Sequence, residues 1–287
     1  MTPSSVNKKK AKGLITVFIR ELTDPFFVPF MTTIEQMADA KGYGVVFARK
    51  SNTDKQHVDY MELVGNQSDG IIFLGDATAK LYEIELLLAM EKPFIIYQGK
   101  KQVEGASYMT VDNEKASYVA MEHLVKCGHK RILHITAPMY HAESIERSRG
   151  YEQAVKDFAL EYNHKIHIDV DYDTIYDMGC RMGELVRKDR ITAVYCFNNL
   201  IATGIIDGLT DQGIKVPEEF SVIGFDDLSF RDLSRNWVPM LSSVKQPQET
   251  MAAYAVEKVT DMIENGMYDA SKVFHCEFID RDSVGLV

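Results

Sequence analysis

The sequence predicts an α/β chain divided into two parallel-sheet lobes, and three observations predict it. Short apolar runs of strand length alternate with segments of helical period. The runs are nearly continuous in Val, Ile, Leu and Phe, as in strands covered on both faces by helices. About eight of them precede Asp226, more than one sheet of ordinary size holds. Alternation of this kind implies parallel pairing through right-handed crossovers.

In chain order, the strand-like runs are Leu14–Ile19, Gly44–Ala48, Gly70–Gly75, Pro93–Tyr97, Tyr108–Val111, Arg131–Thr136, Ala193–Phe197 and Ser221–Phe225. Asp24-Pro25 opens the first helix. Asp caps its first amides, and Pro sits where its missing N–H costs nothing. Ile34, Met37 and Ala38 mark that helix. Val119, Leu124 and Val125 mark a second, closed by Gly128. Further helical segments fall near Glu146–Phe158 and Leu200–Leu209, followed by a turn at Thr210–Gly213 and by Pro217. The segment Pro239–Pro247 reads as extended and leads into a helix at Glu249–Ile263, as a chain crossing back to the first lobe would.

Composition narrows the class. Hydrophobic residues are 46% and charged residues 26% of 287, which excludes a disordered, collagen-like or disulfide-dense chain. No apolar run approaches the ~18 residues of a membrane-spanning helix. The N-terminus lacks the apolar core of a signal peptide. Four scattered cysteines read as free thiols, which places the protein in the cytoplasm. The net charge is −10, and Lys8, Lys9, Lys10 and Lys12 are the only charges among the first twelve residues, so the remainder carries −14. A body this acidic repels a phosphate backbone. The lysine cluster reads as a solvated linker.

Catalytic signatures are missing: there is no phosphate loop, dinucleotide fingerprint, zinc-protease helix or nucleophile elbow. Gly42-Tyr43-Gly44 precedes a strand and reads as a turn. His123, Cys127 and His129 lack a matching second pair, so no metal is expected. His164 and His167 point to opposite faces of a strand-like segment. A sugar hydrolase needs two carboxylates at a defined spacing across the bond, and Asp226 and Asp227 are adjacent. The chain therefore reads as a non-enzyme without cofactor.

The informative feature is where polar side chains fall. Asp226-Asp227, Asn198-Asn199, Gln98 and Asp112-Asn113 each follow a strand, the edge at which α/β sheets bind ligands. Amides and carboxylates suit a ligand rich in hydroxyls, although each alone would serve equally as a cap or turn. Of Phe26 and Phe27, one is expected in the core and the other against a sugar's apolar face. Arg147 and Arg149 offer rigid donor forks for vicinal hydroxyls or a carboxylate, or else make salt bridges. Trp237 lines a pocket or a subunit contact, or simply packs.

Together, DPFF, SDGIIF, VDNEKASYVAMEHLVKCGHKRI, RSRGYEQAV, TAVYCFNNLIATGIIDGL, VPEEFSVIGFDD and PMLSSVKQP resemble the lactose-repressor (LacI/GalR-type) family of bacterial transcription regulators, from about Gly13 onward. The resemblance implies a periplasmic-binding-protein type I fold, two Rossmann-like lobes joined by three crossings near Val111, Ser243–Gln248 and Phe274. The lobes would be 13–111 with 248–275, and 112–247 with 276–287, and residues 1–12 would be a linker remnant. A sugar or related effector would bind in the interlobe cleft of a homodimer, and its binding would shift lobe angle and operator affinity. Carried over by motif, the ligand-binding positions are Phe26, Phe27, Gln98, Arg147, Asn198 and Asp226. Asn199 stands where the family has Asp, Thr174 where it often has an aromatic, and Leu74 where some members have a polar contact. The family's DNA-binding helix-turn-helix head has no counterpart in the twelve residues before Gly13. The chain is thus expected to be the effector-binding core, touching operator DNA only through such a head. The alternative is a sugar-binding protein of a transport system, which shares the fold.

Overall fold

The structure, a computed structural model, describes residues 11–49, 61–74, 81–97, 104–139, 141–228, 234, 240–266 and 270–287. It contains two six-stranded sheets. The chain forms two compact units, Met1–Thr110 with Gln248–Lys272, and Val111–Pro247 with Val273–Val287, so it passes between them three times.

In the first sheet, β1 (Gly13–Ile19), β2 (Tyr43–Arg49), β3 (Gly70–Leu74), β4 (Phe94–Tyr97) and β5 (Ser107–Val111) are joined at one edge by β11 (Lys272–Phe274), where the chain passes from one unit to the other. The order is β11-β5-β4-β3-β1-β2. The pairs β1–β2, β1–β3, β3–β4 and β4–β5 are parallel. Phe18, Ile71, Phe73, Phe94 and Ile96 face one core with Met61, Ile84 and Leu87. Helix Val28–Lys41 packs on helix Gln248–Asn265, so a segment distant in sequence completes this unit.

The second unit repeats the plan. Its strands are β6 (Arg131–Thr136), β7 (Tyr162–His167), β8 (Ala193–Cys196), β9 (Ser221–Phe225), β10 (Ser242–Lys245) and β12 (Glu277–Ile279). They are ordered β12-β10-β9-β8-β6-β7, all parallel except β12 against β10. Strand alternation sends Leu133, Ile135, Val194, Cys196 and Val222 into one core with helices Tyr172–Asp189 and Asn199–Asp211. Ile132, Ala193, Tyr195, Ile223 and Phe225 face the other, under helices Asn113–Lys126 and Ala142–Asp157. Gly208 lets the first of these helix pairs touch, since a Cβ there would lie 2.3 Å from the backbone of Gly179 and Cys180.

Among the described residues nine strands precede Asp226, one more than the apolar runs suggest. The extra one is β7, whose sequence YNHKIH is polar because it forms a sheet edge. The extended Pro239–Pro247 stretch contributes β10. In each sheet the strand order reverses beside the first strand, between β1 and β3 and between β6 and β8. The carboxyl ends at such switch points are where open α/β sheets hold ligands.

Candidate functional site

At the end of β1, Asp24 accepts a hydrogen bond from the Phe26 N–H at 2.9 Å and caps the turn Pro25–Phe27, which runs into helix Val28–Lys41. Sequence reasoning expects one of the two rings in the core and one facing out. Instead both are packed, Phe26 at 8% and Phe27 at 6% exposure. They meet edge to face at 5.1 Å and share a cluster with Phe30 and Tyr97, whose own rings are 5.0 Å apart. The side chain of Gln248 donates to the Phe26 carbonyl at 3.1 Å and fixes this turn from the returning helix. Gln98 and Trp237 lie outside the described residues.

The switch point of the second unit is polar. Arg147 projects from helix Ala142–Asp157 and is 2% exposed, whereas Arg149 is exposed. Its Nε donates to Asn113 Oδ1 at 3.0 Å, one terminal nitrogen to the Phe197 carbonyl at 2.5 Å, and the other to Asp226 at 3.5 Å. The guanidinium lies over the Phe225 ring at 3.6 Å and near that of Phe197 at 4.5 Å. It is therefore held on its faces by rings and on its edges by acceptors from the ends of β8 and β9 and the start of helix Asn113–Lys126. Among the described residues these bonds use three of its five N–H donors.

Asp226 also accepts from Gln246 at 2.7 Å. Asn198 caps helix Asn199–Asp211 through the Ile201 N–H at 2.9 Å, so its oxygen has a structural task and its amide nitrogen is the group left to offer a ligand. Asp112 caps helix Asn113–Lys126 in the same way, at 3.0 Å to the Lys115 N–H. Asn199 is 2% exposed and bonds Ser243 and the Leu228 carbonyl, both at 2.7 Å. It packs on Gly224, where a Cβ would sit 2.0 Å from its Oδ1. The structure thus joins Arg147 to Asp226 and sets Asn198 next to Phe197. It adds two partners of the arginine or its carboxylate, Asn113 and Gln246. Asn113 stood among the strand-end residues of the sequence; Gln246 carries no sequence signal beyond its place in PMLSSVKQP.

Three of the thiols are biased to the protonated form, which is not nucleophilic. Burial raises Cys196, pushes Cys276 up to about 12, and with the Asp280 charge raises Cys127. His134 stacks on Tyr195 at 4.8 Å, and burial lowers its pKa to about 3, so it is neutral. His123 lies 3.7 Å from Cys127 and 3.3 Å from Asp280, and His129 is tied to Thr192 and the Gly285 carbonyl. Among the described residues no three His, Cys, Asp or Glu side chains are grouped to hold a metal ion. No described helix is long and apolar enough to cross a membrane. The arrangement supplies donors, acceptors and aromatic walls, which is binding chemistry.

Residues 121–284 match the family model of the periplasmic binding protein-like domain. The chain belongs to that family. It is 26% identical over 276 residues to the HTH-type transcriptional repressor PurR of Vibrio atlanticus, covering 94% of this chain and 80% of the relative. It is 27% identical over 272 residues to catabolite control protein A of Priestia megaterium, covering 92% and 79%. Among solved structures it is similar to a LacI family transcriptional regulator from Enterococcus faecium with bound ribose, with a TM-score of 0.80, 22% identity and coverage of 96% and 99%. The resemblance to LacI/GalR-type regulators and the fold it implied are borne out, and these relatives are named as regulators.

Proposed function

We propose that this chain is the effector-binding and dimerisation core of a LacI/GalR-type transcriptional regulator, with a carbohydrate as effector. The observation that carries this reading is the buried Arg147, braced by Phe225, Phe197 and Asn113 and paired with Asp226 at the carboxyl edge of its sheet. Holding a charged fork this firmly, with donors to spare, suits recognition of neighbouring hydroxyls, and not covalent chemistry. A relative of the same fold is solved with ribose. On this reading the ligand-binding positions are those that the family resemblance gives, Phe26, Phe27 and Gln98 of the first unit and Arg147, Asn198 and Asp226 of the second. A ligand held by both units favours one arrangement of them, with a coupling of ~1–3 kcal/mol to DNA affinity. DNA contact belongs to a helix-turn-helix head and not to this acidic body, and the dimer sets half-site spacing.

The test is a thermal-shift screen with D-ribose, D-xylose, D-glucose, D-galactose and cellobiose. A sugar at a hundred times its Kd adds ~2.7 kcal/mol of stability. Arg147→Ala and Asp226→Ala remove that shift. Undiminished affinity in both variants would defeat the assignment of the site. Gel filtration separates the regulator core, a dimer, from a transport binding protein, a monomer.

A further inference from the structure

The turn that carries Asp226 is backbone-strained. Asp226 and Asp227 both have positive φ, 85° and 55°, consecutive left-handed positions on non-glycine residues. Aspartate tolerates this region better than most side chains, but only as isolated residues, and such a conformation persists where surrounding bonds over-determine it. Here they do. The Asp226 N–H donates to the Val244 carbonyl at 2.8 Å, which continues the ladder of β10 beyond the end of β9. The Asp227 N–H donates to Ser243 Oγ at 3.2 Å, and that hydroxyl in turn donates to Asn199 Oδ1 at 2.7 Å. Asn199 donates onward to the Leu228 carbonyl. One hydroxyl and one amide thus close both sides of the turn.

The charge of Asp227 is matched separately. Arg281, just beyond β12, donates to its carboxylate and, with the same nitrogen, to the Leu241 carbonyl at 2.8 Å. The Arg281 N–H is tied to Ser242 Oγ at 2.9 Å. The two side chains are 25% and 12% exposed, so water replaces little of this pair. Asp226 and Asp227 thereby divide their work. The first carboxylate meets Arg147 and Gln246. The second points its charge into a clamp made by the strands on the other side.

We propose that Asp227 and Arg281 are a positioning pair for effector binding, holding the strained turn so that the Asp226 carboxylate stays in register with Arg147. The proposal rests on the effector reading above, but its consequence for the turn can be measured without ligand. Arg281→Gln and Asp227→Asn accelerate amide hydrogen exchange of the 226–228 segment at least tenfold. Both also weaken, by tenfold or more in titration calorimetry, binding of whichever of the five sugars most raises the wild-type midpoint. Arg281→Lys restores affinity to within about threefold, and the double variant Asp227→Asn/Arg281→Gln is no weaker than either single one, because the two groups act as a unit. A purely structural role would lower the thermal midpoint of all variants alike and leave sugar affinity intact, and that result overturns the proposal. If wild type binds a sugar and Arg281→Gln binds it equally well, the pair is not positioning, while the effector reading stands. If no sugar binds wild type, the effector reading falls. Faster exchange in Arg281→Gln then still supports a pair that holds the turn, and unchanged exchange overturns it.

Discussion

The two sheets share one strand order, and among the described residues the groups gathered beside their first strands differ in chemistry. In the first unit, the turn and helix that follow β1 carry a cluster of rings, Phe26, Phe27 and Phe30, closed by Tyr97. In the second, the corresponding place holds a buried cation, its carboxylate and amides from Asn113 and Gln246. The scaffold therefore does not determine what the edge binds. A parallel sheet delivers loops to its carboxyl edge, and the side chains on those loops decide whether that edge is an apolar wall or a polar clamp. Stability follows the same division. The aromatic wall is held by burial and packing, which tolerate small changes of shape. The clamp is held by charge, which tolerates loss of a partner poorly.

The largest expected effect breaks the apolar side. Phe30 is fully buried among the other three rings, and Phe30→Ala costs about 3–5 kcal/mol in denaturant unfolding. A loss under about 1 kcal/mol would show that the cluster is loosely packed, against its ring distances. Next, Arg147→Met removes the buried cation that faces Asp226, and costs about 3 kcal/mol. Adding Asp226→Asn recovers part of that loss, because the carboxylate that faced the cation is gone. If the second substitution recovers nothing, the pair is not what holds the clamp together.

The smallest effect sharpens the contrast through pH. His134 of the second unit has its pKa lowered to about 3 by burial, against the Tyr195 carbonyl bond that opposes the shift. Between an unfolded value of about 6.5 and the folded one, the unfolded chain binds a proton that the fold refuses. Stability is therefore complete above about pH 6.5 and falls by about 1.4 kcal/mol per pH unit below it. His129, lowered mainly by burial, acts with the same sign. His134→Leu flattens the slope measured by urea unfolding between pH 4.5 and 6.5; an unchanged slope would mean that another group carries it.

Much of this was readable from local sequence. Buried strands such as GIIFL and SVIGF announce themselves, because both faces are covered and nearly every position is apolar. Caps such as Asp24 and Asn198 act within three residues, so their role is local. Residue type alone left Arg147 and Arg149 of RSRGY equal and the family resemblance pointed to Arg147; packing shows that Arg147 is the buried one and Arg149 the exposed one. The polar edge strand β7 and both packed phenylalanines were decided by neighbours that the local pattern does not contain.

What the amino-acid order determined by itself is the alternation of strands and helices and the polar residues closing the strands, and hence the fold and the polar groups at its carboxyl edge. These depend on periodicity and capping, which act over a few residues. Only tertiary structure decided that Arg147 meets Asn113 across 34 positions, and that Arg281 meets Asp227 across 54. Such pairs arise from strand order and burial, which bring remote side chains into one low-dielectric place where charge must find charge.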